Sequence, residues 1–171
     1  MHSQVVYYRD FDFRNLEYDV PCSTHLGVMR NYLPEGMRIQ FPKLKVESIS
    51  DNEVILLVKM NSPGYNFLKM LEQENVKHAP KKKDMMKRAN GLSDIAEYSR
   101  ISMKIKPNNT LLFSETNELI SVSYINSRLN SKTSVVKAIC ISSSPGLWST
   151  GHSYGNTWNV EQLKTYIEEI E

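Results

Sequence analysis

Cysteine is scarce: Cys22 and Cys140 are all that the 171-residue chain carries. No Cys-x-x-Cys pair is available to hold zinc or run thiol–disulfide chemistry. A disulfide is neither required nor excluded, and a reducing compartment is the better fit. Histidine is equally thin. His2, His25, His78 and His152 fall in expected loops or at the terminus. Cys22 and His25 have a spacing a metal could use, but no second pair lies nearby to complete four ligands, so neither a metal nor any other cofactor is expected. A Gly-rich phosphate loop, Gly-x-Ser-x-Gly and HExxH are all absent. With no catalytic constellation, the chain is expected to bind rather than to catalyse. No run approaches eighteen apolar residues, and Met1-His2-Ser3-Gln4 lacks the basic-then-apolar layout of a secretory leader. The expectation is a protein that neither crosses a membrane nor is secreted.

What is present suits one globular domain over residues 1–171, since 40% of residues are hydrophobic and 23% charged. The net charge of +2 hides an uneven distribution. Between Lys77 and Lys106 there are nine lysines and arginines against three acids, whereas Glu161 to Glu171 holds four acids and one lysine. A basic loop over 77–90, containing Lys81, Lys82, Lys83, Lys87 and Arg88, suits loose contact with a phosphate backbone. The acidic end over 163–171 could compete with such a ligand or contact other proteins.

The periodicity is mostly that of strands. Gln4 to Tyr8 has strand composition, while residues 21–36, with Pro21, Gly27, Pro34 and Gly36, read as loop. Met37, Ile39 and Phe41 alternate with Arg38 and Gln40; after Pro42 the parity shifts, and Leu44 and Val46 alternate with Lys43 and Lys45. A bent strand follows, with Arg38, Lys43 and Lys45 on its outer, phosphate-compatible face. Asn52 to Met60 reads as a strand covered on both faces, and Ser62-Pro63 as the start of a helix reaching about Asn75. A helical turn is expected over 92–100. The next strand, Ile101 to Lys106, places Lys104 and Lys106 outward. Short strands are expected over 110–113 and 119–125, a polar loop over 126–131, and after Trp158 a strand to about Gln162 followed by a helical or frayed end.

Both tryptophans lie in the last quarter. Val135 to Ile141 reads as a buried strand, Pro145-Gly146 as a tight turn, and the glycine-containing stretch between Trp148 and Trp158 as a return. A pair of indoles there is either a core corner or a platform for flat ligands.

Two segments resemble a known family. Ile39-Gln40-Phe41-Pro42-Lys43-Leu44, and Gly146-Leu147-Trp148 followed by Gly151, Gly155-Asn156-Thr157-Trp158, Gln162 and Lys164, are similar to motifs of single-stranded DNA-binding proteins of large nucleocytoplasmic DNA viruses. The chain departs from the family at Phe41, where threonine is usual. The resemblance covers about a fifth of the chain. It implies a mainly β fold, an OB-like β-barrel with one or two short helices. It further implies sequence-independent binding of single-stranded DNA, with RNA left open, in viral DNA replication or repair, in the host cytoplasm or nucleus or in the virion. Arg38, Lys43, Lys45, Lys81, Lys82, Lys83, Lys87, Arg88, Lys104 and Lys106 would then track phosphates, and Tyr65, Trp148 or Tyr154 would accept bases. Homo-oligomerisation and contact of the acidic end with other replication proteins are compatible with it. The alternative is a virion assembly protein, a β-sandwich that packs against protein partners.

Overall fold

A computed structural model describes residues 4–24, 27–33, 35–79, 87–88, 93–95, 97–150 and 153–170. In chain order the elements are β1 (Val5–Tyr7), β2 (Glu17–Tyr18), β3 (Cys22–Thr24), β4 (Gly27–Leu33), β5 (Met37–Gln40), β6 (Leu44–Ile49), β7 (Glu53–Lys59) and α1 (Pro63–His78). They continue as β8 (Lys87–Arg88), β9 (Ser93–Ile95), β10 (Tyr98–Lys104), β11 (Leu111–Phe113), α2 (Val122–Leu129), β12 (Ser134–Ser144), β13 (Gly146–Ser149), β14 (Ser153–Asn156) and β15 (Asn159–Glu169).

Strands β6, β7, β10, β15 and β12 pair in that order, and β12 returns to β6, closing a five-stranded barrel. Every seam is antiparallel except β10–β15, which gives an OB-like barrel. Its interior follows the period of two. Val54, Leu56 and Val58 of β7, Ile101 and Met103 of β10, Val136, Ala138 and Cys140 of β12, and Val160 and Leu163 of β15 are all buried. Each large aliphatic among them contributes roughly 1.5–3 kcal/mol by leaving water. Burial pushes the Cys140 thiol up to about 12, so it acts as a core hydrophobe, and both cysteines are free.

Two bulges shape the wall. The β6–β7 register skips Glu47 and the β12–β15 register skips Glu161. An unpaired bulge residue is re-aimed relative to its neighbours, and each of these carboxylates meets an arginine with two hydrogen bonds. Arg100 donates to Glu47 at 2.6 Å through both Nε and Nη2, bridging β10 to β6 across β7. Arg38 donates to Glu161 at 2.9 and 2.8 Å, bridging β5 to β15 across β12. The hydrogen bonds from Arg100 hold the Glu47 carboxyl below the usual carboxylate range.

The second sheet runs β2-β4-β13-β14-β8, with β3 also on β4. It exists because β4 and β13 approach closely. A Cβ on Gly146 would strike the Arg30 carbonyl oxygen, and one on Gly27, at φ +148°, the Ser149 carbonyl oxygen. Residues 21–36 are therefore two strands with their breakers at the ends, not a loop. Pro145-Gly146 makes no hairpin either: it carries the chain from the barrel into this second sheet.

Helix α1 starts as expected, Ser62 Oγ accepting from the Tyr65 amide at 3.3 Å with Pro63 behind it. Gly64 sits against Pro42, whose Cγ an added Cβ would approach to 2.9 Å. At the far end Asn75 is buried, its Oδ1 accepting from the Tyr18 and Tyr32 hydroxyls at 2.7 and 2.9 Å. His78 stacks on Tyr18 at 3.9 Å, and burial beside Arg30 lowers its pKa.

Three other segments differ from their periodicity. Residues 93–95 form a strand on β10, not a helical turn. Residues 122–129 form α2, because Ser121 Oγ caps the Tyr124 amide at 3.1 Å and Val122, Ile125 and Leu129 share a helical face against the core. The C-terminal stretch is the continuous strand β15, paired with β12 as far as Glu169. Among the described residues no helix is long and apolar enough to cross a membrane, and no group of three or more His, Cys, Asp or Glu could hold a metal ion.

Candidate nucleic-acid interface

Strand β10 and the two residues that follow it deliver two lysines to the barrel rim. Ile101, Met103 and Ile105 point inward, so Lys104 and Lys106 point out. Their backbone is pinned. The Lys104 amide donates to the Trp158 carbonyl at 2.8 Å, the Ile105 amide to the Asn52 carbonyl at 2.9 Å, and the Lys106 amide to Thr110 Oγ1 at 3.0 Å. Thr110 in turn donates to the Val160 carbonyl at 2.6 Å. The ammonium groups thus project from a fixed base on mobile stems.

Two clefts meet at this rim. One, of about 490 Å³, is lined by Ser50, Asn52, Glu53, Ser102, Lys104, Ile105, Lys106, Thr157 and Trp158. The other, of about 470 Å³, is lined by Thr24, Gly27, Val28, Met29, Lys104, Trp148, Ser149, Thr150 and Thr157. Lys104 and Thr157 belong to both, so the two form one trough between the barrel and the second sheet.

Trp148 stands in the second half of this trough, held between Met29 of β4 and Gly155 of β14. It is half-buried, and among the described residues no ring packs on it. Lys104 and Lys106 have no ion-pair partner among the described residues. The one carboxylate in the lining, Glu53, accepts from Ser102 Oγ at 2.7 Å. A half-buried indole beside two ammonium groups, of which Lys104 faces Glu53 across the β7–β10 seam without forming an ion pair, is an arrangement suited to a flat ring attached to an anion.

Trp158 is the core indole: 2% exposed, edge-on to Phe41 with centroids 4.9 Å apart. Phe41, the residue at which the first motif departs from the viral pattern, therefore joins the two motifs inside the protein.

The remaining candidates lie elsewhere. Arg38 is tied to Glu161. Tyr65 lies on α1 against the core, with Lys69 Nζ 5.4 Å from its ring centroid, and lines neither half of the trough. Tyr154 pairs with Ser149, one position from the Trp148–Gly155 pair, so it points to the opposite face of its sheet from Trp148. Lys43 and Lys45 line a separate cleft of about 270 Å³ on the barrel wall. The backbone of Lys87 and Arg88 forms β8, parallel to β14 at the edge of the sheet carrying Trp148. Lys81, Lys82 and Lys83 lie outside the described residues. The acidic end is engaged at close range, Glu168 with Lys137 at 3.1 Å and Glu169 with Arg128 at 3.8 Å.

Periodicity singled out Lys104 and Lys106, the pair of indoles in the last quarter offered Trp148, and the fold places all three along the trough. Periodicity did not single out Ser50, Asn52 or Thr24, short polar residues of loops and strand ends whose sequence carries no signal, and Thr157 entered only as part of the second motif. Lys59 and Lys137 were also missed, although each adjoins the apolar run of its strand at an outward position.

No protein-family model matches the sequence, and no curated protein matches it significantly. Among solved structures the chain is similar to a single-stranded DNA-binding protein from bacteriophage Enc34, with a TM-score of 0.44 and 10% identity over 90% of this chain and 91% of that one. It is similar also to a C-terminal truncation of that protein, with a TM-score of 0.44 and 11% identity over 91% of this chain and 96% of the other.

Proposed function

We propose that this protein binds single-stranded DNA without sequence preference and without catalysis, in the trough at the barrel rim. The observation that carries the reading is the half-buried Trp148 indole in one trough with Lys104 and Lys106, neither of which forms an ion pair among the described residues. Stacking is sequence-tolerant because every base has a π-face, and it requires a base that is not already paired. Lysine contacts to phosphate fix the strand without reading it. The resemblance of the two motifs to viral single-stranded DNA-binding proteins supports a place in viral DNA replication or repair. An assembly role built on a β-sandwich is not favoured, since the main sheet closes on itself.

Electrophoretic mobility shifts with single- and double-stranded oligonucleotides at a series of salt concentrations test this. The single strand is expected to bind more tightly than the duplex, and affinity to fall steeply with salt. In Lys104→Ala/Lys106→Ala the slope of log K against log salt for the single strand is expected to be shallower by about 1.4, two contacts at about 0.7 each. Equal affinity for duplex, or an unchanged slope in the variant, would remove the trough from the site.

A further inference from the structure

The separate cleft on the barrel wall is lined by four lysines, of which Lys137 alone has an ion-pair partner among the described residues. Lys43, Lys45, Lys59 and Lys137 line it together with Leu57 and Tyr98. Lys45 and Lys137 are direct cross-strand partners on β6 and β12, and like charges placed opposite one another weaken a sheet. Lys45 and Lys59 have no ion-pair partner among the described residues. Lys137 has only Glu168, in a pair whose side chains are 37% and 52% exposed, where solvent screens most of the attraction. Lys43 is aimed by Tyr166, its Nζ 3.9 Å from the ring centroid, and Tyr166 is itself the cross-strand partner of Lys137. Four lysines lining one cleft against a single, largely exposed acid, Glu168, leave a net positive surface suited to phosphate.

The register connects this cleft to the trough. Lys137, Lys45, Leu57 and Arg100 lie in one row across β12, β6, β7 and β10. Lys104 lies four residues further along β10 on the same outward face, about 13 Å away at roughly 3.3 Å per residue. The half-buried Ile55 and Leu57 pave the wall between.

We infer that the cleft of Lys43, Lys45, Lys59 and Lys137 is a second phosphate-binding segment for the same polynucleotide, which crosses the outer wall from Trp148 towards Tyr166. The inference rests on the single-strand reading of the trough and extends it: the bound strand is longer than the trough, and its second part is held by charge alone. Arg100 and Glu47 stay paired beneath it as a wall clamp.

Fluorescence anisotropy of the full chain with labelled oligothymidylates of about 5 and about 16 nucleotides, within the range one OB fold occupies, tests it against Lys45→Ala/Lys59→Ala/Lys137→Ala. The three lysines lie on the outer wall, and a cooperative thermal transition with a midpoint no lower than that of the unaltered chain will show that the variant folds. The longer oligomer is expected to lose at least tenfold in affinity, with a salt slope shallower by about 2. The shorter one, seated in the trough, is expected to bind as before. If the variant binds the longer oligomer as tightly as the unaltered chain does, the second segment does not exist. A parallel loss for both lengths would place these lysines in the first segment and overturn the inference as well. Failure of the unaltered chain to bind either length would overturn the single-strand reading itself.

Discussion

Replacing Trp158 with alanine is expected to cost about 3–5 kcal/mol of folding stability, the usual penalty for removing a buried large aromatic. The indole is 2% exposed and packs edge-on against Phe41, and its backbone carbonyl receives the Lys104 amide at 2.8 Å. Phe41 in turn lies 6.0 Å from Phe67 of α1, ring centre to ring centre. One side chain thus supports the bend between β5 and β6, the start of β15 and the docking of α1. Domains of this size are stable by only about 5–15 kcal/mol, so the variant should unfold at far lower urea. A loss below about 1 kcal/mol, the scale of an ordinary surface-to-average substitution, would contradict the core assignment.

The other tryptophan is expected to behave oppositely. Trp148→Ala leaves the barrel core untouched, because the indole projects into the trough from β13 and packs on no other ring among the described residues. Its loss should cost about 1–3 kcal/mol of single-strand affinity, the usual worth of one base stack, which is roughly 5- to 150-fold in Kd. The salt slope should stay the same, since no phosphate contact is removed. Anisotropy titrations at several salt concentrations check both points. An altered slope with unaltered affinity would show that Trp148 positions lysines and holds no base.

Much of the barrel was legible because its strands alternate. The parity shift at Pro42 appears in the structure as the break between β5 and β6, with Met37, Ile39 and Phe41 buried before it and Leu44 and Val46 after it. The misread segments have physical explanations. The bulge at Glu161 inserts one residue into β15, so Val160 and the next inward residue, Leu163, are three apart and imitate a helix. Val122 and Tyr124 alternate like a strand, but the Ser121 cap and the burial of Ile125 decide for α2. Over 21–36 the glycines and prolines punctuate two strands at their ends, a placement that composition does not reveal. For the site, alternation sufficed to turn Lys104 and Lys106 outward. That Trp148 would stand beside them depends on the chain leaving the barrel at Pro145 and pairing with β4, a long-range contact permitted by Gly27 and Gly146. Arg38 was legible as outward-facing, but its pairing with Glu161 depends on a bulge on a strand far away in sequence.

The most direct measurement is intrinsic fluorescence in a Trp158→Phe chain, which keeps a ring against Phe41 and leaves Trp148 as the one emitting indole. Saturable quenching by oligothymidylate, with a midpoint that moves to weaker binding as salt rises, is the expected result. Binding with no change in emission, or no binding at low salt, would contradict a trough in which Trp148 holds the base and Lys104 and Lys106 hold the chain.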